Sequence, residues 1–266
     1  MRIARYSVDD SIRYGVVDLE QDGTGNPDSV SDLSGDPLSG PVKLTGVRHL
    51  LGSVRLLAPV LPRSKVIGIA KNAVPGQSSP PVSTSLPRVF LKPNTSVIGP
   101  GESIQIPSIS SGTGLEAELA IVIARICRSV PPERVPEVIF GYTASNDVTA
   151  FDLIEEGIPW GAAKSWDTYT PLGPWIVTHL SIEEASSLEV SGVIDEEVVT
   201  HGTTKGLIHE IVGLVSFVSS VMTLLPGDVI LTGASGGSAP IRAGQVVSVE
   251  IDQIGTLTNP VMGETI

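Results

Sequence analysis

Two glutamates separated by one residue, Glu116 and Glu118, precede an apolar run and bring two carboxylates to one point. The run over residues 119–124 predicts a buried β-strand. Side chains at positions i and i+2 of a strand lie on the same face, about 6.5–7 Å apart. Two buried like charges are costly unless a cation meets them. A divalent cation would meet this need, and Asp147 in the next segment would complete a set of three carboxylates. Such hard oxygen ligands suit Mg²⁺, Mn²⁺ or Ca²⁺ rather than zinc.

Each of these acids also has a purely structural interpretation, which the sequence leaves open. Glu116 and Glu118 would equally form the polar face of an edge strand. Asp147 would equally cap the segment that follows it. The chain is 41% hydrophobic and only 17% charged, so any buried group of acids needs an explanation.

The elements that must position these acids are mostly short. Gly (28) and Pro (21) are plentiful and indicate many turns. Helices are predicted over residues 130–140, 151–157 and 207–225. The pattern over residues 47–57 is compatible with either a helix or a strand. Loops are predicted over residues 21–42 and 75–87. Strands are predicted over residues 3–6, 13–19, 64–70, 89–93, 119–124, 228–232, 246–251 and 255–259. This pattern predicts an α+β, β-rich fold.

The chain of 266 residues is long enough for one large domain with a small appendage. Residues 59–62 begin and end with proline, which predicts an extended connector. We therefore expect a small N-terminal domain over residues 1–58 and a catalytic domain over residues 59–266.

Charge and composition exclude several classes of partner. The formal net charge of −12 argues against nucleic acid, because phosphate binding needs basic surfaces. No stretch reaches the roughly 18 apolar residues of a membrane-spanning helix, and residues 1–6 lack the apolar core of a signal peptide. The single cysteine, Cys127, fits a reducing cytoplasm and favours a buried thiol over a nucleophile. The expected location is cytoplasmic, with no membrane partner.

Seven segments, in order along the chain, resemble the fumarylacetoacetate hydrolase family. One of them is Glu-Ala-Glu-Leu-Ala-Ile-Val-Ile at residues 116–123, and another is Gly-Tyr-Thr-Ala-Ser-Asn-Asp at residues 141–147. The others lie at residues 90–101, 163–168, 171–175, 225–233 and 254–261. The resemblance covers roughly residues 64–261. It implies a rolled, mixed β-barrel fold, a homodimer, and a central Mg²⁺ or Mn²⁺ whose ligands fall on Glu116, Glu118 and Asp147.

The resemblance also implies three further site residues. Lys164 matches the family's active-site lysine, Thr232 matches a residue that contacts substrate, and Asn72 is retained from the motif that follows the first strand of the catalytic domain. Two alternatives stay open: an exposed Lys164, which is the usual environment of lysine, and a Thr232 hydroxyl that bonds only to backbone. Members of the family act on small 2-oxo or β-diketo acids as hydrolases, lyases or isomerases. A metal that binds adjacent substrate oxygens stabilises an enolate.

The chain departs from the family pattern at three places. No His and Glu follow Asn72, although such a dyad activates water in relatives. Phe151 stands where relatives often carry an arginine, and residues 198–204 lack a further Arg-Gln pair. The loss of these arginines removes bidentate recognition of carboxylates.

These observations predict an enzyme that acts on a 2-oxo acid or diketone by C–C cleavage, decarboxylation or tautomerisation. The missing dyad counts against hydrolysis, because Mg²⁺ acidifies its bound water only modestly and a base is then needed. The alternatives are a non-hydrolytic cyclase or isomerase of a biosynthetic pathway, which would work by positioning its substrate, and a catalytically silent member. All four histidines lie outside the segment of the missing dyad. His179 and His201 are the loop candidates for a replacement base, whereas His49 belongs to the N-terminal part and His209 lies in the predicted helix, where a structural or exposed role is expected.

Overall fold

A computed structural model describes residues 1–20, 27–75, 77, 79 and 83–264. The loop predicted over residues 75–87 lies partly outside these residues. Within the described residues, none of the helices combines the length and apolar character that crossing a bilayer requires.

The described residues form short strands and a few short helices. The helices are α1 (Phe151–Glu155), α2 (Trp160–Ala163), α3 (Ile182–Ala185) and α4 (Ile211–Val221), and Pro132–Glu137 is a 3₁₀ turn. The strands are β1 (Arg2–Val8), β2 (Ser11–Asp18), β3 (Ser29–Leu33), β4 (Leu44–Leu50), β5 (Arg55–Leu57), β6 (Val66–Ala70), β7 (Arg88–Lys92), β8 (Val97–Ile98), β9 (Ile104–Ile106), β10 (Thr113–Ile123), β11 (Ile139–Asn146), β12 (Thr149–Ala150), β13 (Thr170–Val177), β14 (Glu189–Ile194), β15 (Glu197–Thr203), β16 (Val229–Leu231), β17 (Ser238–Pro240), β18 (Val246–Ile251) and β19 (Gly255–Gly263). The predicted β-rich α+β class is confirmed.

Two mixed sheets build the molecule. Within the described residues, the larger sheet runs in the order β4-β3-β2-β1-β13-β11-β10-β16-β6-β7, and the smaller one in the order β15-β14-β18-β19-β9. Strands β6 and β16 are parallel, whereas most other neighbours are antiparallel. The N-terminal strands therefore continue the same sheet as the rest of the chain, through the pairing of β1 with β13. The predicted division at residues 58 and 59 stays a prediction.

Strand β10 is the centre of the larger sheet and is buried on both faces. Leu119 and Ile121 pack into the main core, whereas Ala120 and Val122 pack into a second cluster on the opposite face. A strand that is covered on both sides reads as a continuous apolar run. The apolar run over residues 119–124 thus belongs to a central strand. The interpretation of Glu116 and Glu118 as the polar face of an edge strand is wrong.

Several predicted bounds were wrong for reasons of tertiary structure. The helix predicted over residues 207–225 is confined to α4, because residues 207–209 bond to the segment after β6 instead. The loop predicted over residues 21–42 contains β3, whose Val30 is fully buried. The predicted strand at residues 255–259 extends to Gly263, since β19 also pairs with β9.

Candidate active site

Five elements bring the predicted site residues to one place. Glu116 and Glu118 lie on β10, and Asp147 directly follows β11, its partner strand. The Asp147 N–H donates to Glu116 O at 2.9 Å, which continues the ladder beyond the end of β11. Lys164 directly follows α2, and its side chain reaches Glu116 and Asp147. Because β6 and β16 are parallel neighbours, the residues that follow them also lie side by side at this edge.

Lys164 joins two of the three predicted acids. Its Nζ lies 2.5 Å from Glu116 Oε2 and 2.5 Å from Asp147 Oδ2. It also donates to Thr149 Oγ1 at 2.6 Å. Lys164 is only 6% exposed, so the interpretation as a surface lysine is wrong. The arrangement is a buried cluster of acids with a cation at its centre.

A second buried lysine, Lys92 on β7, completes this cluster and was missed by the sequence analysis. It is 1% exposed. Its Nζ donates to Asp147 Oδ1 and, at 2.7 Å, to Tyr169 O. The available signal was a single lysine at the end of the apolar strand Val-Phe-Leu-Lys-Pro, since lysine is rarely buried without a partner.

Glu118 carries the least compensated charge in the cluster. Its Oε2 accepts a hydrogen bond from the Gly233 N–H at 2.7 Å. Burial, followed by the like charges of Asp147 and Glu116, raises the pKa of Glu118 well above its usual range. Without a further cation, this carboxyl therefore tends to hold a proton.

Asp147 and Lys164 are held in their charged forms more firmly. Burial alone would raise the pKa of Asp147, but Lys164 and Lys92 outweigh it and hold that pKa below its usual range. Burial alone would lower the pKa of Lys164, but Asp147 and Glu116 raise it above its usual range. The pKa of Lys92 is lowered by burial, which Asp147 offsets only in part. Lys164 is therefore a fixed positive charge at neutral pH.

Asn72 and Thr232 act on the backbone around the acids. Asn72 is 1% exposed, and its Nδ2 donates to Thr232 O at 2.7 Å. Its Oδ1 accepts from the His209 N–H at 2.8 Å, and its Nδ2 also donates to His209 O at 3.1 Å. The Thr232 hydroxyl donates to Leu119 O at 2.9 Å. Both side chains thus hold Gly233 against Glu118, and their predicted contact with substrate stays a prediction.

The donor atoms of the cluster fit a hard divalent cation chemically. Three carboxylates supply the oxygen ligands that Mg²⁺ and Mn²⁺ prefer, and the raised pKa of Glu118 reflects its burial beside the like charges of Asp147 and Glu116. Within the described residues, no group of three His, Cys, Asp or Glu side chains is arranged to hold a metal, and Lys164 bridges Glu116 and Asp147. The predicted metal ligands stay a prediction.

The histidines are distributed around the molecule. The His179 ring forms a hydrogen bond with the N-terminal amine. The His201 ring lies next to the Glu189 carboxylate, and the His49 ring next to that of Asp32. His209 lies just before α4, next to Asn72, and burial lowers the pKa of its ring. Of the four, His209 is therefore the one whose backbone is bonded to a predicted site residue.

Comparison with known proteins shows the same architecture over the whole chain. The model of the fumarylacetoacetate (FAA) hydrolase C-terminal family matches residues 66–262, and that of the "Rv2993c-like, N-terminal" family matches residues 1–59. The structure of a 5-carboxymethyl-2-hydroxymuconate delta-isomerase from Mycobacterium smegmatis is 42% identical with a TM-score of 0.89, covering 99% of this chain and 100% of that one.

Two further structures extend this comparison. A 2-hydroxyhepta-2,4-diene-1,7-dioate isomerase from Mycobacterium marinum is 39% identical with a TM-score of 0.89, and the match covers 100% of both chains. A maleylpyruvate hydrolase from Sphingobium sp. SYK-6, in complex with manganese(II) ion and pyruvate, is 26% identical with a TM-score of 0.80, again over 100% of both chains.

Proposed function

Because the chain belongs to the fumarylacetoacetate hydrolase family, we propose that it is a divalent-metal-dependent enzyme that acts on a 2-oxo or 1,3-dicarbonyl compound through an enolate. The observation that carries this proposal is the buried cluster in which Lys164 contacts Glu116 and Asp147 beside an uncompensated Glu118. A purely structural cluster would gain nothing from a carboxylate left without a cation.

The metal would be held by Glu116, Glu118 and Asp147. When bound, Mg²⁺ or Mn²⁺ supplies Lewis-acid stabilisation of negative charge on adjacent substrate oxygens. The manganese in the maleylpyruvate hydrolase structure supports this choice of ion.

The chain's own residues have separate tasks in this reaction. Lys164 stays protonated at neutral pH, so it stabilises developing negative charge and does not act as the base. Asn72 fixes the segments that contain Thr232 and His209, and thereby orients the Gly233 N–H towards Glu118. The site is thus organised before substrate arrives, which is the condition for electrostatic stabilisation to accelerate a reaction.

Within this chemistry, isomerisation is favoured over hydrolysis. Hydrolysis at neutral pH needs a base that generates hydroxide, and the first acid after Asn72 is Glu102, while no histidine follows before His179. An isomerisation of such a dienol moves a proton from the enol oxygen to a carbon atom of the diene, giving the 2-oxo compound, and consumes no water. The two more similar structures are both named as isomerases, whereas the hydrolase is more distant.

The test combines metal binding with turnover. Wild-type protein should bind Mg²⁺ or Mn²⁺ in calorimetry and isomerise 2-hydroxyhepta-2,4-diene-1,7-dioate, followed by the ultraviolet absorbance of its conjugated dienol. Glu118→Gln should lower metal affinity and turnover by about 100-fold or more, since changes beyond the ligands themselves already cost 10–100-fold.

Glu197→Gln, an exposed change on β15, is the matched control and should leave both measurements unchanged. A flat metal titration of the wild-type protein, or a fully active Glu118→Gln variant, would refute the proposal. The homodimer and the cytoplasmic location stay predictions implied by the family.

A further inference from the structure

Lys71 is a cation at the edge of the candidate site that the proposed chemistry does not yet use. It directly follows β6, and its neighbour Asn72 bonds to Thr232 O at the end of the parallel strand β16. Adjacent Cα atoms are about 3.8 Å apart. The backbone of Lys71 is therefore fixed next to the segment that orients Gly233 towards Glu118.

The backbone of Lys71 is held in an uncommon conformation. Its φ angle is +54°, in the left-handed region that residues other than glycine seldom adopt. Such a conformation persists where the surroundings impose it. Here the neighbouring Asn72 is buried and its amide is fixed by hydrogen bonds to His209 O and Thr232 O, while the Lys71 side chain is exposed.

The Lys71 ammonium lies towards the helix that precedes Lys164. Its Nζ is 6.0 Å from the centre of the Trp160 ring, at the outer limit of a cation–π contact. Residues i and i+4 of a helix share a face, and four residues span about 6 Å along the axis. Trp160 begins α2 and Lys164 directly follows it, so one turn of helix separates the ring next to Lys71 from the lysine of the acidic cluster.

Among the described residues, Lys71 takes part in no ion pair, whereas Lys164 and Lys92 are both occupied by the acids. Phe151 supplies no positive charge at the place where relatives often carry an arginine. The protein as a whole is acidic, with a formal net charge of −12, so a lysine that has no ion-pair partner in the described part of the chain supplies local positive charge for a second anionic group.

We infer that Lys71 binds the second carboxylate of a dicarboxylic 2-oxo acid and thereby selects diacids over monoacids. This inference rests on the proposed function, in which the first carboxylate and the 2-oxo group would bind at the metal that the acidic cluster would hold. The contact is a charge-assisted hydrogen bond from Nζ, and it weakens as ionic strength rises, because Lys71 is exposed.

The test uses two compounds that differ only in the terminal group. Calorimetry measures the binding of 2-oxopentanoate and 2-oxopentanedioate to the wild-type protein at saturating Mn²⁺. At low salt the wild-type protein should bind the diacid about fivefold more tightly, the upper range for an exposed ion pair. Lys71→Gln should bring the ratio of the two dissociation constants to about one, and Lys71→Arg should keep it.

Lys43→Gln is the matched control, because it removes the same charge at an exposed position just before β4. It should keep the wild-type ratio. An equal affinity of the wild-type protein for both compounds would overturn the inference alone, and so would a preference that survives in Lys71→Gln. Failure of the wild-type protein to bind even the monoacid would overturn the proposed function and the inference with it.

Discussion

Replacing Lys92 by methionine should destabilise the protein strongly, although the new side chain has nearly the same length. Lys92 is 1% exposed and contacts Asp147 Oδ1 and Tyr169 O. Methionine fills the space but donates no hydrogen bond and carries no charge. Asp147, which is 2% exposed, would then keep Lys164 as its single cationic partner in the cluster.

The magnitude follows from these contacts. Removal of one partner from a buried ion pair costs about 3–5 kcal/mol. The remaining contact of Asp147 with Lys164 places the expected loss at the lower end, about 3 kcal/mol of the free energy of unfolding. For a chain of this size, that loss corresponds to a fall of roughly 6–12 °C in melting temperature.

The assay is urea unfolding followed by circular dichroism in metal-free buffer, with thermal melting as a second measurement. Lys43→Met is the control, since an exposed substitution should change stability by less than about 0.5 kcal/mol. If Lys92→Met unfolds at the same urea concentration as this control, the lysine does not neutralise Asp147, and the description of the cluster is wrong.

Two further predictions concern the surroundings of the cluster. In metal-free protein, burial and the charges of Asp147 and Glu116 raise the pKa of Glu118 above its ordinary value of 4.5, so the native state binds more protons than the unfolded state. The free energy of unfolding should therefore fall as the pH rises above about 4.5. Urea midpoints measured between about pH 4.5 and 8 should show this fall in the wild-type protein and a flatter dependence in Glu118→Gln. An equal slope in both proteins would contradict the prediction. Asn72→Ala removes three hydrogen bonds and should cost about 2–3 kcal/mol, together with most of the turnover. The exposed Asn94→Ala should cost little, and equal losses in both variants would count against a positioning role for Asn72.

The sequence allowed the acids and their strand to be predicted because both leave local signals. An apolar run with two glutamates at its start describes β10 whatever the rest of the chain does. The β-rich class followed in the same way, from short runs separated by Gly and Pro. Lys164 was identified through its resemblance to a family motif, since nothing in its local sequence indicates burial.

The features that were not predicted depend on residues far apart in the chain. His209 bonds to Asn72 across 137 positions, and this contact confines the predicted helix to α4. Lys92 is buried because Asp147 lies opposite to it, 55 positions away. A lysine is ordinarily exposed, so local propensity gives the wrong answer at a position where a tertiary ion pair decides the outcome.

The position of β10 in the sheet makes one part of the site rigid, whereas another part lies where substitutions are tolerated. Glu118 lies on a strand that is flanked by β11 on one side and by β16 on the other, so its backbone should exchange amide hydrogen only when the entire domain opens. Lys71, in contrast, follows β6 next to the outermost strand β7 and a surface segment. Changes there disturb few neighbours. Substitutions at this edge can therefore change the substrate preference while the buried acids stay the same. This is a physical reason why one fold serves many reactions.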